Sequence, residues 1–192
     1  MIYRYMFAAY ADDGVVYADA YDARVTTVTL SRYRDILFLY YEATEREVSP
    51  TDVVMGATRP FPDGRQWYPM PDIFHYSRPL SHEHWRRNKK KTPFVRLNRL
   101  RRDKIGSYIF YHQQYQEEYP SHGDKYGIIG FFDNYVYFYM EKPEEKDAEN
   151  TVGTLATRNT PLDTWQSLMC EHFDPLPDTR KRWCRLDTVF TR

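Results

Sequence analysis

Residues 107–119 read SYIFYHQQYQEEY. Four tyrosines, a phenylalanine and a histidine share this stretch with three glutamines and two glutamates. The aromatic density suits a core and the amides do not, and a helix with two unlike faces reconciles them. Residues 104–118 contain no proline, and Ile105, Tyr108, Ile109, His112 and Tyr115 recur at helical spacing. Tyr108 and His112 then lie four residues apart on one face, and Tyr115 and Tyr119 continue it. Asp103 stands where an N-cap carboxylate can accept from the first free amides. Gly123 marks the end of the run.

The flanking segments supply strands. PFVRLNRL (93–100) precedes the helix. KYGIIGFF (125–132) and YVYFYME (135–141) follow it and form a hairpin through Asp133-Asn134. A helical region is expected over 144–158. A further helix is expected from Thr160-Pro161 to about Phe173, with Thr160 as cap, Pro161 at the first position and Asp163 in the first turn. WCRLDTVFT (183–191) reads as the last strand. The order β-α-β-β-α-β is the ferredoxin-like split unit, whose helices cover one sheet face and leave the other in need of a partner.

A faint repeat suggests where that partner lies. DILFLYYE (35–42) resembles NYVYFYME (134–141), with Glu42 and Glu141 99 positions apart. Trp67 and Trp165 are 98 apart, His75 and His172 97, and Trp85 and Trp183 98. The expectation is an α+β chain of two ferredoxin-like βαββαβ repeats forming an intrachain dimeric α+β barrel. Residues 1–91 form a degenerate first repeat and 92–192 a complete second one. Aligning YMFAA (5–9) with YIFYH (108–112) sets Tyr5 on Tyr108 and Ala9 on His112, so the first copy lacks the imidazole. Residues 1–91 read alternatively as an extension packed on a single unit. The chain is then a monomeric pseudo-dimer or a homodimer.

The ordered set of motifs in 103–192 resembles the L-rhamnose mutarotase family of the dimeric α+β barrel superfamily. The resemblance rests on Tyr108 four residues before His112, Tyr126 in KYGII, the strand ending in Glu141, Trp165 followed by Met169, and DTVFT (187–191). It implies a cofactor-free, metal-free isomerase acting at the anomeric carbon of a small sugar. His112 and Tyr108 would be catalytic, and Tyr126 and Trp165 would hold the substrate. Gln166 and Gln116 stand where the family has tryptophans, and the loop between His112 and Tyr126 is shorter. Mutarotation needs one proton given and one taken, which an imidazole of near-neutral pKa can do. A structural reading competes, in which His112 is hydrogen-bonded within a helix–sheet interface. Related folds also bind or cyclise aromatic and polyketide-like molecules, so a binding or cyclase-like role is the alternative.

Composition removes other classes. Formal net charge is zero, which announces no polyanionic partner for the whole molecule. Residues 86–104 carry ten basic and one acidic side chains. Their single phenylalanine is a poor stacking platform, so a solvated linker is expected rather than a nucleic-acid contact. No apolar run has the length of a membrane span. The N-terminal apolar patch is too short and polar for a secretory signal. Cys170 and Cys184 form no CxxC pair, which fits a reduced, cytoplasmic protein. His82 and His84 flank Glu83 and on a strand would share a side. Two imidazoles are too few for a zinc site, and a solvated loop is expected there. GxGxxG, Walker, HExxH and GxSxG motifs are absent.

Overall fold

The aromatic runs Ile36–Ala43 and Tyr135–Lys142 are the central strands of two curled antiparallel sheets. The computed structural model describes residues 1–86, 90–120, 122–149, 153–179 and 182–192. The chain divides into two units. Unit 1 comprises 1–70, 79–93 and 186–192, and unit 2 comprises 71–78 and 94–185.

In chain order the strands are β1 (Tyr3–Ala11), β2 (Ala18–Asp19), β3 (Val25–Tyr33), β4 (Ile36–Ala43), β5 (Val54–Met55), β6 (Thr58–Arg59), β7 (Tyr68–Pro69), β8 (Asp72–His75), β9 (Thr92–Leu100), β10 (Ile128–Phe132), β11 (Tyr135–Lys142), β12 (Phe173–Asp174), β13 (Cys184–Arg185) and β14 (Thr188–Thr191). The helices are α1 (Pro50–Val53), α2 (His82–Trp85), α3 (Ile105–Glu118) and α4 (Trp165–Cys170).

The sheet of unit 1 runs β14-β3-β4-β1-β6, with β7 also on β1. The sheet of unit 2 runs β8-β10-β11-β9-β12, with β13 also on β9. The same order recurs in both. Each central hairpin has a two-residue turn, with Arg34 at φ 54° in one and Asp133 at φ 53° in the other. Each central strand carries a Tyr-x-Glu. Tyr40 donates to Glu42, and Tyr139 donates to Glu141 at 2.7 Å. The repeat therefore holds at the hairpin with the 99-residue offset.

It does not hold for the tryptophans and histidines as spaced in sequence. Trp67 directly precedes β7, and the residue that precedes β13 in the same way is Trp183. Trp165 instead opens α4. The alignment of YMFAA with YIFYH also fails, because the first lies in strand β1 and the second in helix α3. Among the described residues, unit 1 has no helix between β1 and β3.

The expected closing strand 183–191 is split. β13 pairs with β9 in unit 2, and β14 pairs with β3 in unit 1. Its counterpart is split in mirror fashion. β7 pairs with β1 in unit 1, and β8 pairs with β10 in unit 2. Each half thus lends its last strand to the other unit's sheet, and the chain passes between units four times.

Periodicity explains the cores. Leu37, Leu39 and Tyr41 alternate along β4 toward a cluster with Val28, Leu30, Val53 and Trp67. The opposite side chains, Phe38, Tyr40 and Glu42, are fully buried too. A strand covered on both faces reads as a continuous apolar run, as ILFLYY does. In unit 2, Val136, Phe138 and Met140 of β11 pack with Tyr108 and Tyr115 of α3.

The amides of the opening stretch now have a use. Gln113 Nε2 donates to the Ile73 carbonyl at 2.6 Å, and the His75 amide donates to Gln116 Oε1 at 2.8 Å. Two helix side chains satisfy backbone groups of edge strand β8 that would otherwise stand open.

Four local expectations are corrected. Asp103 does not cap α3: it lies in a 3-10 turn, Arg102–Lys104, and pairs with Arg101 at 3.1 Å. No helix forms over the described residues of 144–158; residues 150–152 lie outside them. Buried Glu118 accepts instead from the Thr157 hydroxyl and from the amides of Asn159 and Thr160, and so ties down the end of that segment. Burial would raise the Glu118 pKa, but these hydrogen bonds overcome it and hold the carboxyl at about 2. Thr160 spends its hydroxyl on Glu118 as well, at 2.6 Å, and so does not cap α4, which is preceded by a 3-10 turn, Leu162–Thr164. His82 and His84 lie on short helix α2 rather than on a strand or loop, and His84 is buried.

Candidate functional site

α3 and α4 lie over the sheet of unit 2, and between their aromatic side chains is a cavity of about 220 Å3. Tyr108, His112 and Tyr115 reach it because they recur on one face of α3. Trp165 reaches it from the first turn of α4, and Phe74 from β8. Exposed Gln166 and Arg182 also line it, so the cavity opens to the surface on that side.

The walls are aromatic. The Tyr115 ring stacks on Trp165 at 4.9 Å between ring centres and on Phe74 at 5.8 Å. His112 meets Trp165 edge-on at 5.1 Å, and its ring lies 4.0 Å from that of Tyr108.

His112 Nδ1 lies 2.9 Å from the Tyr108 carbonyl oxygen one helical turn back. A carbonyl only accepts, so Nδ1 carries the proton and Nε2 carries the lone pair. Nε2 has no hydrogen-bond partner among the described residues. Burial pushes the His112 pKa down to about 4, partly opposed by the bond to the Tyr108 carbonyl, and nearby His172 pushes it the same way as burial. The near-neutral pKa expected from sequence is thereby corrected. This imidazole is a neutral base at physiological pH, held in one tautomer.

The Tyr108 hydroxyl is fully buried and has no hydrogen-bond partner among the described residues. Burial raises its pKa well above the ordinary phenol value, and the charge of Arg96 partly opposes that rise. The group therefore stays protonated, a donor with nothing to donate to.

The structure brings Tyr108, His112 and Trp165 to one cavity. Tyr126 is fully buried beside Lys125, whose ammonium lies 5.5 Å from its ring, and is not part of the cavity lining. Sequence reasoning missed Arg96, which lines the cavity from β9. The alternation of β9 carried the signal: Arg96 shares a face with Phe94 and Leu100, both of which pack in the core of unit 2.

Among the described residues no three His, Cys, Asp or Glu side chains converge as metal ligands, and no helix is long and apolar enough to cross a membrane. No family model, curated protein or solved structure matches the chain.

Proposed function

We propose that the unit 2 cavity is a small-molecule site in which His112 and Tyr108 work as a base and acid, in a mutarotase-like exchange at the anomeric carbon of a sugar. The L-rhamnose mutarotase resemblance, and the dimeric α+β barrel class that comes with it, belong to this proposal. The observation that carries it is the pairing of two open groups. A neutral imidazole with a vacant Nε2 and a buried hydroxyl without an acceptor share one cavity, their rings 4.0 Å apart. Buried polar groups are rarely left without partners, and exceptions cluster where a ligand completes them.

The step conserves protons. His112 Nε2 takes the proton of the anomeric hydroxyl while Tyr108 gives its proton to the ring oxygen. The bond between the anomeric carbon and the ring oxygen breaks, leaving an open-chain aldehyde. After rotation the ring hydroxyl adds to the other face, and both protons return. The Trp165 indole offers a flat apolar surface to the C–H face of the sugar. No redox change occurs, and the chemistry calls for no cofactor.

A second reading is favoured by the stack of Phe74, Tyr115 and Trp165, whose area suits an aromatic or polyketide-like ligand without turnover. NMR saturation transfer between sugar anomers separates the two. The first reading expects accelerated exchange for at least one aldose and a loss of about 100-fold or more in H112Q. Folded protein that accelerates none of a broad panel, while aromatic ligands raise its melting temperature, leaves only the second.

A further inference from the structure

Neither reading so far uses Arg96. This guanidinium sits among rings, 4.9 Å from the centre of Phe138 and 5.1 Å from that of Trp183. Its Nε is buried and has no hydrogen-bond partner among the described residues. It forms no ion pair among them either, and the carboxylate of Glu144 acts on it only from beyond ion-pair distance. Arginine stays charged even when partly desolvated, so this half-buried cation cannot shed its charge by losing a proton. A buried charge normally has a counter-ion or a full set of hydrogen bonds.

The neighbouring strand pairs show that the arrangement is particular to this position. Arg99, three residues on, faces the carboxylate of Asp174 at 3.8 Å. Arg101 and Arg102 pair with Asp103 and Asp133. Arg96 differs from these three in having no carboxylate partner among the described residues, and it lines the aromatic cavity with a second guanidinium, Arg182, at the exposed side.

We propose that the cavity takes a small carboxylate-bearing ligand, with Arg96 as the partner of the carboxylate and His112 and Tyr108 available to its uncharged part. Resting on the mutarotase-like reading, the substrate class becomes an acidic sugar, a hexuronate, in place of a neutral aldose. The planar fork of arginine matches a carboxylate with two parallel hydrogen bonds, a geometry no neutral sugar hydroxyl supplies.

Equilibrium binding tests this without turnover. Trp165 and Trp183 both line the cavity, so tryptophan fluorescence of the full chain reports occupancy. Two matched probe pairs are titrated at constant ionic strength: D-glucuronate against D-glucose, and benzoate against benzamide. The expected result is that at least one carboxylate binds about tenfold or more tighter than its neutral partner, and that R96M removes the preference. Neutral probes bound as tightly as the carboxylates, no binding by either carboxylate, or a preference that survives in R96M each overturn the proposal. The wild-type comparison decides the matter alone if R96M does not fold. The two readings fail separately. A benzoate preference without any glucuronate binding keeps the anion site and removes the sugar. Anomer exchange of D-glucose in a protein that binds neither carboxylate more tightly than its neutral partner keeps the mutarotase reading and removes the anion site.

Discussion

Unit 1 and unit 2 have sheets of the same strand order, yet a position that packs an aromatic ring in one lines a cavity in the other. The pairings on the edge beside each inner strand show why. In unit 1, β6 and β7 meet β1 at Tyr10 and Phe7; in unit 2, β12 and β13 meet β9 at Arg99 and Arg96. Phe7 and Arg96 are therefore equivalent positions. Phe7 stacks on Tyr41 at 6.0 Å and closes its core. Arg96 lines a cavity at the same place, beside Trp183, the counterpart of Trp67. The covering layers differ as well. Unit 1 packs Val48, Val53 and Val54 on its sheet, whereas unit 2 uses α3 and the Tyr108–His112 face. Buried Glu42 of unit 1 holds Tyr40, Trp85 and Arg86 together, whereas Tyr108, His112 and Arg96 of unit 2 line a cavity.

The largest expected effect tests the structural side of this contrast. Fully buried Glu42 accepts from Tyr40, from the Trp85 indole at 2.9 Å and from Arg86 Nε at 2.8 Å. E42A strands these donors and should cost about 3–5 kcal/mol in denaturant unfolding. A loss below about 1 kcal/mol would mean that the network contributes little to unit 1.

The next effect is on the unit 2 side. His112 titrates near 4 in the folded chain and near 6.5 when unfolded. Between these values the unfolded state binds the extra proton, so His112 lowers stability as pH falls from 6.5 to 4. The contribution is present above 6.5 and lost below the folded value, with a span of about 3 kcal/mol. Wild type should therefore lose more stability than H112Q across that window. Parallel curves for the two proteins would place the imidazole in a hydrated setting. The acid limb of any sugar exchange should lie near pH 4, since only the neutral ring is a base.

The smallest effect exchanges one unit's solution for the other's. R96F puts the residue of unit 1 into unit 2 and removes an unsatisfied buried donor. The melting temperature should rise, by about 1 kcal/mol of stability, while carboxylate binding disappears. A fall in stability would show that the stacked guanidinium contributes more as packing than it costs as a buried ion.

Much of unit 2 was legible in the sequence. The α3 face and the β10–β11 hairpin follow from spacing alone, because 3.6 and 2.0 periodicities are local properties of the chain. The repeat was legible at its hairpin, where turn and Tyr-x-Glu lie within ten residues of each other. It misled at the tryptophans, since insertions between elements change the offset and only strand pairing reveals the match of Trp67 with Trp183. Residues 144–158 looked helical because nothing local forbade it. Glu118, about 40 residues away, fixes part of that segment by hydrogen bonds that no window of sequence displays.

By itself the sequence determined which residues can share a face: Tyr108 with His112 on α3, and Arg96 with Phe94 and Leu100 on β9. The tertiary structure decided what stands opposite them. It set His112, Tyr108 and Arg96 around one cavity and left Tyr126 out of its lining. The physical reason is range. Backbone geometry sets direction within an element, whereas burial, partner loss and the resulting pKa shift depend on side chains brought together from β8, β9, α3 and α4 across more than a hundred residues of chain.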